Sequence, residues 1–266
     1  MTVMATVLDQ ARQCHQALTA LGAVPDDALA VLLVGSQARG WANPTSDYDF
    51  CIITEQPFRD GEIRAVGVPL EPPVTAVREM LAGDRRCELA YWTAGQVRQM
   101  VDKVSWSRFE SGGSSLKTLV DVEQTLLERL ASAVPTDGAA WLDTARAAVE
   151  ASAFRAFITT FSLSSAEGKL EDIVGMLELG DLESAVLAGR LALDHMADAL
   201  LDSHGVYGTG IPKWRMRRLR ELADPALSPE RYWELITMSG YGAANAAGWV
   251  DAVVTQCQDL ALEIEI

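Results

Sequence analysis

Apolar residues recur at three- and four-residue steps near the start of the chain, at Val3, Val7, Ala11, Cys14, Leu18 and Leu21. That period predicts an amphipathic helix over residues 3–21, ended by Pro25, Asp26 and Asp27. Residues 28–34 form a continuous apolar run and read as a strand. A short helical segment over 36–40 follows, and Asn43, Pro44 and Thr45 are turn chemistry. The pattern over 47–54 alternates, with Tyr48, Phe50 and Ile52 on one face and Asp47 and Asp49 on the other. A third strand is predicted over 63–70, stopped by Pro69, Pro72 and Pro73. Residues 74–81, carrying Val77 and Leu81, read as a helix. Residues 87–92 read as a further strand in which Leu89 and Tyr91 share a face opposite Glu88. Helices are expected over 94–104 and 116–130, with the flexible tract Gly112, Gly113, Ser114 and Ser115 between them.

From residue 139 the strand signal disappears. Alanine-rich helical patterns cover 139–165, 182–203 and 243–262, interrupted at Glu167-Gly168, Gly180-Asp181 and residues 205–212. The expected fold is therefore α+β: a domain with a central mixed sheet over residues 1–135, then an all-α helical bundle over 136–266. The bundle is expected to close the second wall of a cleft.

Composition narrows the class. The chain has 266 residues, 49% of them hydrophobic, which suffices for one large core or two modest ones. No apolar run approaches the ~20 residues of a membrane span, and the amphipathic N-terminus does not read as a leader, so a cytoplasmic location is expected. Cys14, Cys51, Cys87 and Cys257 are too scattered for a zinc site or a disulfide framework. With 22 basic against 37 acidic side chains, the net charge is −15. Polynucleotide binding draws much of its affinity from neutralised phosphates, so nucleic acid is disfavoured as a partner. A negative field suits a small, cationic acceptor.

The chemistry concentrates around Gly35-Ser36 and Asp47-x-Asp49. Glycine at a strand-to-helix turn lets a phosphate approach the backbone, and the amides behind Ser36 face an anion. Aspartates two apart on a strand project from one face, about 6.6 Å apart between Cα atoms. Hard divalent cations prefer such carboxylate oxygens. The form Gly-Ser-x-Ala-Arg-Gly, then Ser-Asp-x-Asp, resembles the DNA polymerase β-type nucleotidyltransferase superfamily. It is most similar to small bacterial members such as the aminoglycoside and lincosamide nucleotidyltransferases. The resemblance covers residues 28–93.

It implies transfer of a nucleoside monophosphate, AMP from ATP, to a hydroxyl of a small molecule, with two Mg²⁺ ions. It implies that Asp47 and Asp49 hold both ions and that a third carboxylate from a neighbouring strand completes the site. Glu88 fits that place, with Glu71 a rival beside prolines. Gly35 and Ser36 would contact phosphate, and Arg39 or Lys213 would supply positive charge. Lys213 opens a basic segment holding Arg215, Arg217, Arg218 and Arg220, which reads equally as a surface helix. Arg190, Asp194, Asp198 and Asp202 share one helix face and read as a solvated face with an Arg190–Asp194 pair. Asp194 remains an alternative general base to Glu88. Two rival functions stand beside this one: a toxin-type transferase acting on a protein or tRNA, and a non-catalytic nucleotide sensor. Oligomeric state is left open, a homodimer included.

Overall fold

The computed structural model describes residues 2–59, 62–112, 118–208, 210–239, 241–242 and 245–266. The expected flexible tract at Gly113, Ser114 and Ser115, the expected helix start at Leu116, Thr209, and the expected helix start at Ala243 lie outside these residues.

The chain divides into two compact units. Residues Met1–Ser105 with Leu119–Ser152 form the first, and Trp106–Thr118 with Ala153–Ile266 the second. The first holds a mixed six-stranded sheet. Its strands are β1 (Ala30–Val34), β2 (Tyr48–Thr54), β3 (Arg64–Gly67), β4 (Val74–Ala82), β5 (Arg85–Thr93) and β6 (Val134–Asp137). They lie in the order β3-β4-β5-β2-β1-β6. Only β2 and β5 pair in parallel; each other neighbouring pair is antiparallel.

The alternation read in the sequence holds. Val31, Leu33, Tyr48, Phe50, Ile52, Leu89 and Tyr91 are buried in one cluster with Ala11, Cys14 and Leu18 of α1 (Thr2–Ala20). Helices α3 (Ala94–Lys103), α5 (Asp121–Ser132) and α6 (Ala139–Ala151) lie against β5 and β1. Glu123 of α5 is fully buried, yet its carboxylate meets Lys103 Nζ at 2.6 Å and accepts the Val120 amide at 2.9 Å. This ion pair ties α3 to the first turn of α5. All four cysteines are free and buried.

Three elements differ from the sequence pattern. Residues 74–82 form a strand rather than a helix, because β4 finds ladder partners on both sides in β3 and β5; tertiary pairing overrides the local preference of Arg78, Glu79, Met80 and Leu81. Pro135 lies inside β6, which is tolerated because β6 is an edge strand and no ladder bond is lost on its open side. The expected domain boundary at 135 and 136 thus falls within a strand of the first unit. The expected break at Gly168 lies inside α7 (Phe154–Glu178), and the real interruption is at Ser152–Ala153, between α6 and α7.

The second unit is helical. It contains α4 (Trp106–Glu110), α7, α8 (Leu182–Ser203), α9 (Arg215–Leu222), α10 (Pro229–Ile236) and α11 (Ala246–Glu263). Ala185, Ala188, Ala192, Leu193, Met196, Ala197 and Leu200 of α8 pack with Val250, Val253, Cys257 and Leu260 of α11. A Cβ added at Gly189 would lie 3.2 Å from the Trp249 ring, so a small residue here admits the indole.

The α8 carboxylates are not a solvated face. Asp198 and Asp202 are buried, and Arg190 is exposed without serving them. The partners come from α9. Arg215 grips Asp198 with Nε at 3.0 Å and Nη2 at 2.6 Å, and reaches Asp194 with Nη1 at 2.8 Å. Arg218 Nη2 donates at 2.6 Å to Asp198 Oδ1, the oxygen that also accepts Arg215 Nε, and the Tyr232 hydroxyl donates to Asp194 at 2.7 Å. Burial works against the Arg215 charge, but the hydrogen bonds and charge of Asp198 more than reverse it, holding its pKa above the ordinary arginine value.

Asp198→Ala should leave two buried guanidinium groups without their shared anion. Breaking such a pair from one side costs about 3–5 kcal/mol, so the urea midpoint should fall steeply. Arg190→Ala should change stability by less than about 0.5 kcal/mol, as an exposed substitution.

Candidate active site

The site begins where β1 ends. Gly35 has φ of +69°, and a Cβ built on it would lie 2.3 Å from Asp49 Oδ2. Two constraints therefore select glycine: a left-handed backbone, and a carboxylate seated against its Cα. Val34 and Asp49 are register partners in the β1–β2 ladder, so the ladder delivers the carboxylate to the turn. Helix α2 (Gly35–Ala38) follows. Its carbonyls are taken up locally, with Arg39 N donating to Gly35 O and Trp41 N donating to Ser36 O at 2.9 Å.

The loop before Asp47 is ordered by its own side chains. Asn43 Oδ1 accepts the Thr45 amide at 2.9 Å and hydroxyl at 2.8 Å, and Ser46 Oγ accepts the Asn43 amide at 2.9 Å. These bonds explain why Asn-Pro-Thr-Ser precedes the aspartates. Asp47 stands one residue ahead of β2, and its Oδ1 lies 3.3 Å from Arg86 Nε. Asp49 lies within β2 directly beside Glu88 of β5, on the face opposite the buried Tyr48, Phe50 and Leu89. Parallel pairing in this register brings together two residues 39 positions apart in the chain.

The sheet adds a carboxylate that the sequence reading missed. Glu79 of β4 is the register partner of Glu88, so Asp49, Glu88 and Glu79 form a row across β2, β5 and β4. A helix over 74–81 would have hidden it; period-two reading of that stretch would have shown it. Asp47, Glu79, Arg86 and Glu88 line a cavity of about 270 Å³. A larger cavity of about 610 Å³ is bounded by Gln10, Asn43, Thr45, Asp47, Arg85 and Arg86, among others.

Cys51 follows Asp49 on the same face. Burial pushes its thiol pKa up to about 11, with the charges of Asp49 and Glu88 adding to the rise and Arg129 opposing it. Arg39 lies over the Trp41 ring, 4.8 Å from its centroid. Glu71 is exposed, with its backbone carbonyl taken by Gln99, and is not in the carboxylate row. Lys213 belongs to the second unit. It is exposed in the 3₁₀ turn Pro212–Trp214, with its ammonium 5.5 Å from the Trp214 ring centroid.

The donors near β2 and β5 are carboxylate oxygens, the ligand type that hard divalent cations take. Asp49 and Glu88 stand together, whereas Asp47 is engaged by Arg86. Among the described residues no three His, Cys, Asp or Glu side chains are already gathered as a metal cage. The donor set fits a divalent cation in chemistry, with Asp49 and Glu88 as its preformed part.

Gly35→Ala should destabilise the first unit by about 2–4 kcal/mol, from left-handed backbone strain together with overpacking against Asp49. Gly67→Ala, where a Cβ meets nothing within 4 Å, should be close to neutral. Denaturant titration of the two variants makes the comparison.

Residues 20–90 match the family model described as a nucleotidyltransferase domain. No curated protein matches the chain. Among solved structures, a nucleotidyltransferase-like protein from Exiguobacterium sibiricum 255-15 is similar in fold. It is 11% identical, with a TM-score of 0.51, covering 95% of this chain and 74% of that one. No helix among the described residues is long and apolar enough to cross a membrane. The match spans β1, the Gly35 turn, β2 and Glu88, so residues 20–90 carry a nucleotidyltransferase domain.

Proposed function

We propose that the protein transfers AMP from ATP to a hydroxyl group of a small molecule and releases pyrophosphate. The observation that carries this reading is the seating of Asp49 against Gly35 with Glu88 beside it. A phosphate-approach turn and a paired carboxylate site are thereby joined at one point.

Asp47, Asp49 and Glu88 are the residues that would hold two Mg²⁺ ions. When bound, such ions lower the pKa of an acceptor hydroxyl and stabilise a departing pyrophosphate. In the transfer the acceptor oxygen bonds to the α-phosphorus, the bond to the β-phosphate oxygen breaks, and pyrophosphate leaves with that electron pair. Glu88 takes the hydroxyl proton; Asp194, the other base the sequence offered, is instead engaged by Arg215 and Tyr232. Gly35 and Ser36 receive the phosphates through the backbone amides at the start of α2, the space beside the Gly35 Cα being taken by Asp49. Arg39 or Lys213 supplies positive charge to the outer phosphates. Alignment of hydroxyl and phosphorus provides much of the remaining acceleration.

The acidic balance of the chain favours a small cationic acceptor, and the similarity in sequence form to antibiotic-modifying enzymes points to an amino-bearing hydroxyl compound. On this reading the protein works in the cytoplasm. A homodimer is compatible with it.

Asp49→Asn should abolish adduct formation when protein, ATP, Mg²⁺ and a metabolite or aminoglycoside pool are followed by mass spectrometry. Turnover within about tenfold of wild type would refute the carboxylate assignment. Lys213→Ala should weaken ATP binding by roughly 1.5–3 kcal/mol, as for a lost hydrogen bond to a charged group; unchanged binding would return that role to Arg39. Nanomolar tRNA affinity at physiological salt, falling steeply as salt is raised, would favour the toxin-type alternative.

A further inference from the structure

The cavity of about 610 Å³ beside Asp47 is walled by α1, by the segment from Ala42 to Tyr48 and by the turn that joins β4 to β5. Its charged side chains are Asp47, Asp84, Arg85 and Arg86. Arg86 is taken by Asp47, 3.3 Å away. Arg85 reaches α1 instead. Its Nη1 donates to Gln13 Oε1 at 3.4 Å, and its guanidinium carbon stands 6.0 Å from the Tyr48 ring centroid. It also lies beside the Cys14 thiol. Among the described residues it makes no ion pair with a carboxylate, although it is half-buried and the chain holds 37 acidic side chains. A partly desolvated guanidinium without a counter-charge is costly. Its planar fork matches the oxyanion of a carboxylate or a phosphate.

The wall around Arg85 is already ordered. The Tyr48 hydroxyl donates to Gln10 Oε1 at 2.7 Å, and Gln37 Nε2 donates to Ser46 O at 3.4 Å. Asp47 and Arg86 also line the smaller cavity that holds Glu88, so the two cavities meet at that pair. A ligand anchored at Arg85 therefore extends toward the carboxylates of the transfer site.

We propose that the larger cavity is the acceptor's subsite, and that Arg85 selects an acceptor bearing an oxyanion, a carboxylate or a phosphate monoester, besides its hydroxyl. Asp84, exposed at the turn, offers the opposite charge to an amine. The acceptor is thus a zwitterion rather than a simple cation. Resting on the proposed transfer, this assignment narrows its acceptor to one chemical class.

The test is calorimetric titration of three amino sugars, glucosamine, glucosamine 6-phosphate and muramic acid, with Mg²⁺ and α,β-methylene ATP present. Wild type, Arg85→Met and Arg85→Lys are compared, with melting temperatures as a check on folding. Wild type should bind at least one of the two acid-bearing sugars roughly tenfold to a hundredfold more tightly than glucosamine, as for a hydrogen bond to a charged group. Preference for glucosamine 6-phosphate identifies a phosphate acceptor, and preference for muramic acid a carboxylate. Arg85→Met should abolish the preference and leave glucosamine binding unchanged, whereas Arg85→Lys should retain part of it. Arg85→Gln carries the same expectation if the methionine variant does not fold. Equal affinity for all three sugars, binding of none, or a preference that survives both neutral variants would overturn the inference. Failure of the transfer reading looks different: the acid-bearing sugars would bind in an Arg85-dependent way, yet wild type with ATP and Mg²⁺ would add no AMP to them, leaving an oxyanion site without transfer.

Discussion

Contact between the Gly35 backbone and the Asp49 carboxylate is the constraint on which the first unit turns. It requires β1 to stop at Val34, the chain to turn left-handed at once, and β2 to return in the register that places Asp49 beside Val34. The polar loop over residues 43–46 then has a defined length to span, and its Asn43, Thr45 and Ser46 bonds set its shape. Glu88 arrives by another route. Strands β2 and β5 run in parallel, so the chain cannot join them by a tight hairpin. It travels through β3 and β4 and returns beside β2. That excursion also places Glu79 next to Glu88, so the connection that completes the site intensifies its negative charge.

The second unit handles charge in the opposite manner. Asp198 is buried and matched by both Arg215 and Arg218, with Asp194 and Tyr232 extending the network. The basic segment is thereby sorted by helical position. Arg215 and Arg218 face inward, while Lys213, Arg217 and Arg220 are exposed. Lys213 and Arg217 both lie near the Trp214 ring, their charged groups 5.5 Å and 5.3 Å from its centroid. In a chain of net charge −15, these outward cations are the part of the segment available to an anionic ligand.

The local chemistry of the site was legible in the sequence because its key steps are local. Gly35-Ser36, the turn residues, and the alternation around Asp49 all lie within one short segment, and the alternation around Glu88 is equally short-range. Residues 74–82 were misread because Arg78, Glu79, Met80 and Leu81 suit a helix, and only pairing on both flanks makes them a strand. With that strand unseen, Glu79 had no place in the site. On α8, four-residue spacing correctly gathered Asp194 and Asp198 on one face. It gave no information on whether solvent or α9 would cover them.

The path of the chain between the units has a consequence for how the protein comes to be folded. Residues 106–118 group with the helical unit although 119–152 group with the sheet, so the backbone passes between units three times. During synthesis the first unit lacks its edge strand β6 and the helix α6 until residue 151 has emerged. The early segment of the second unit must wait longer still for α7 and α8. Neither unit is complete when the next begins, and non-local closure of this kind slows folding relative to a chain of consecutive domains. The candidate catalytic carboxylates are therefore made well before the strand and helices that complete their own unit.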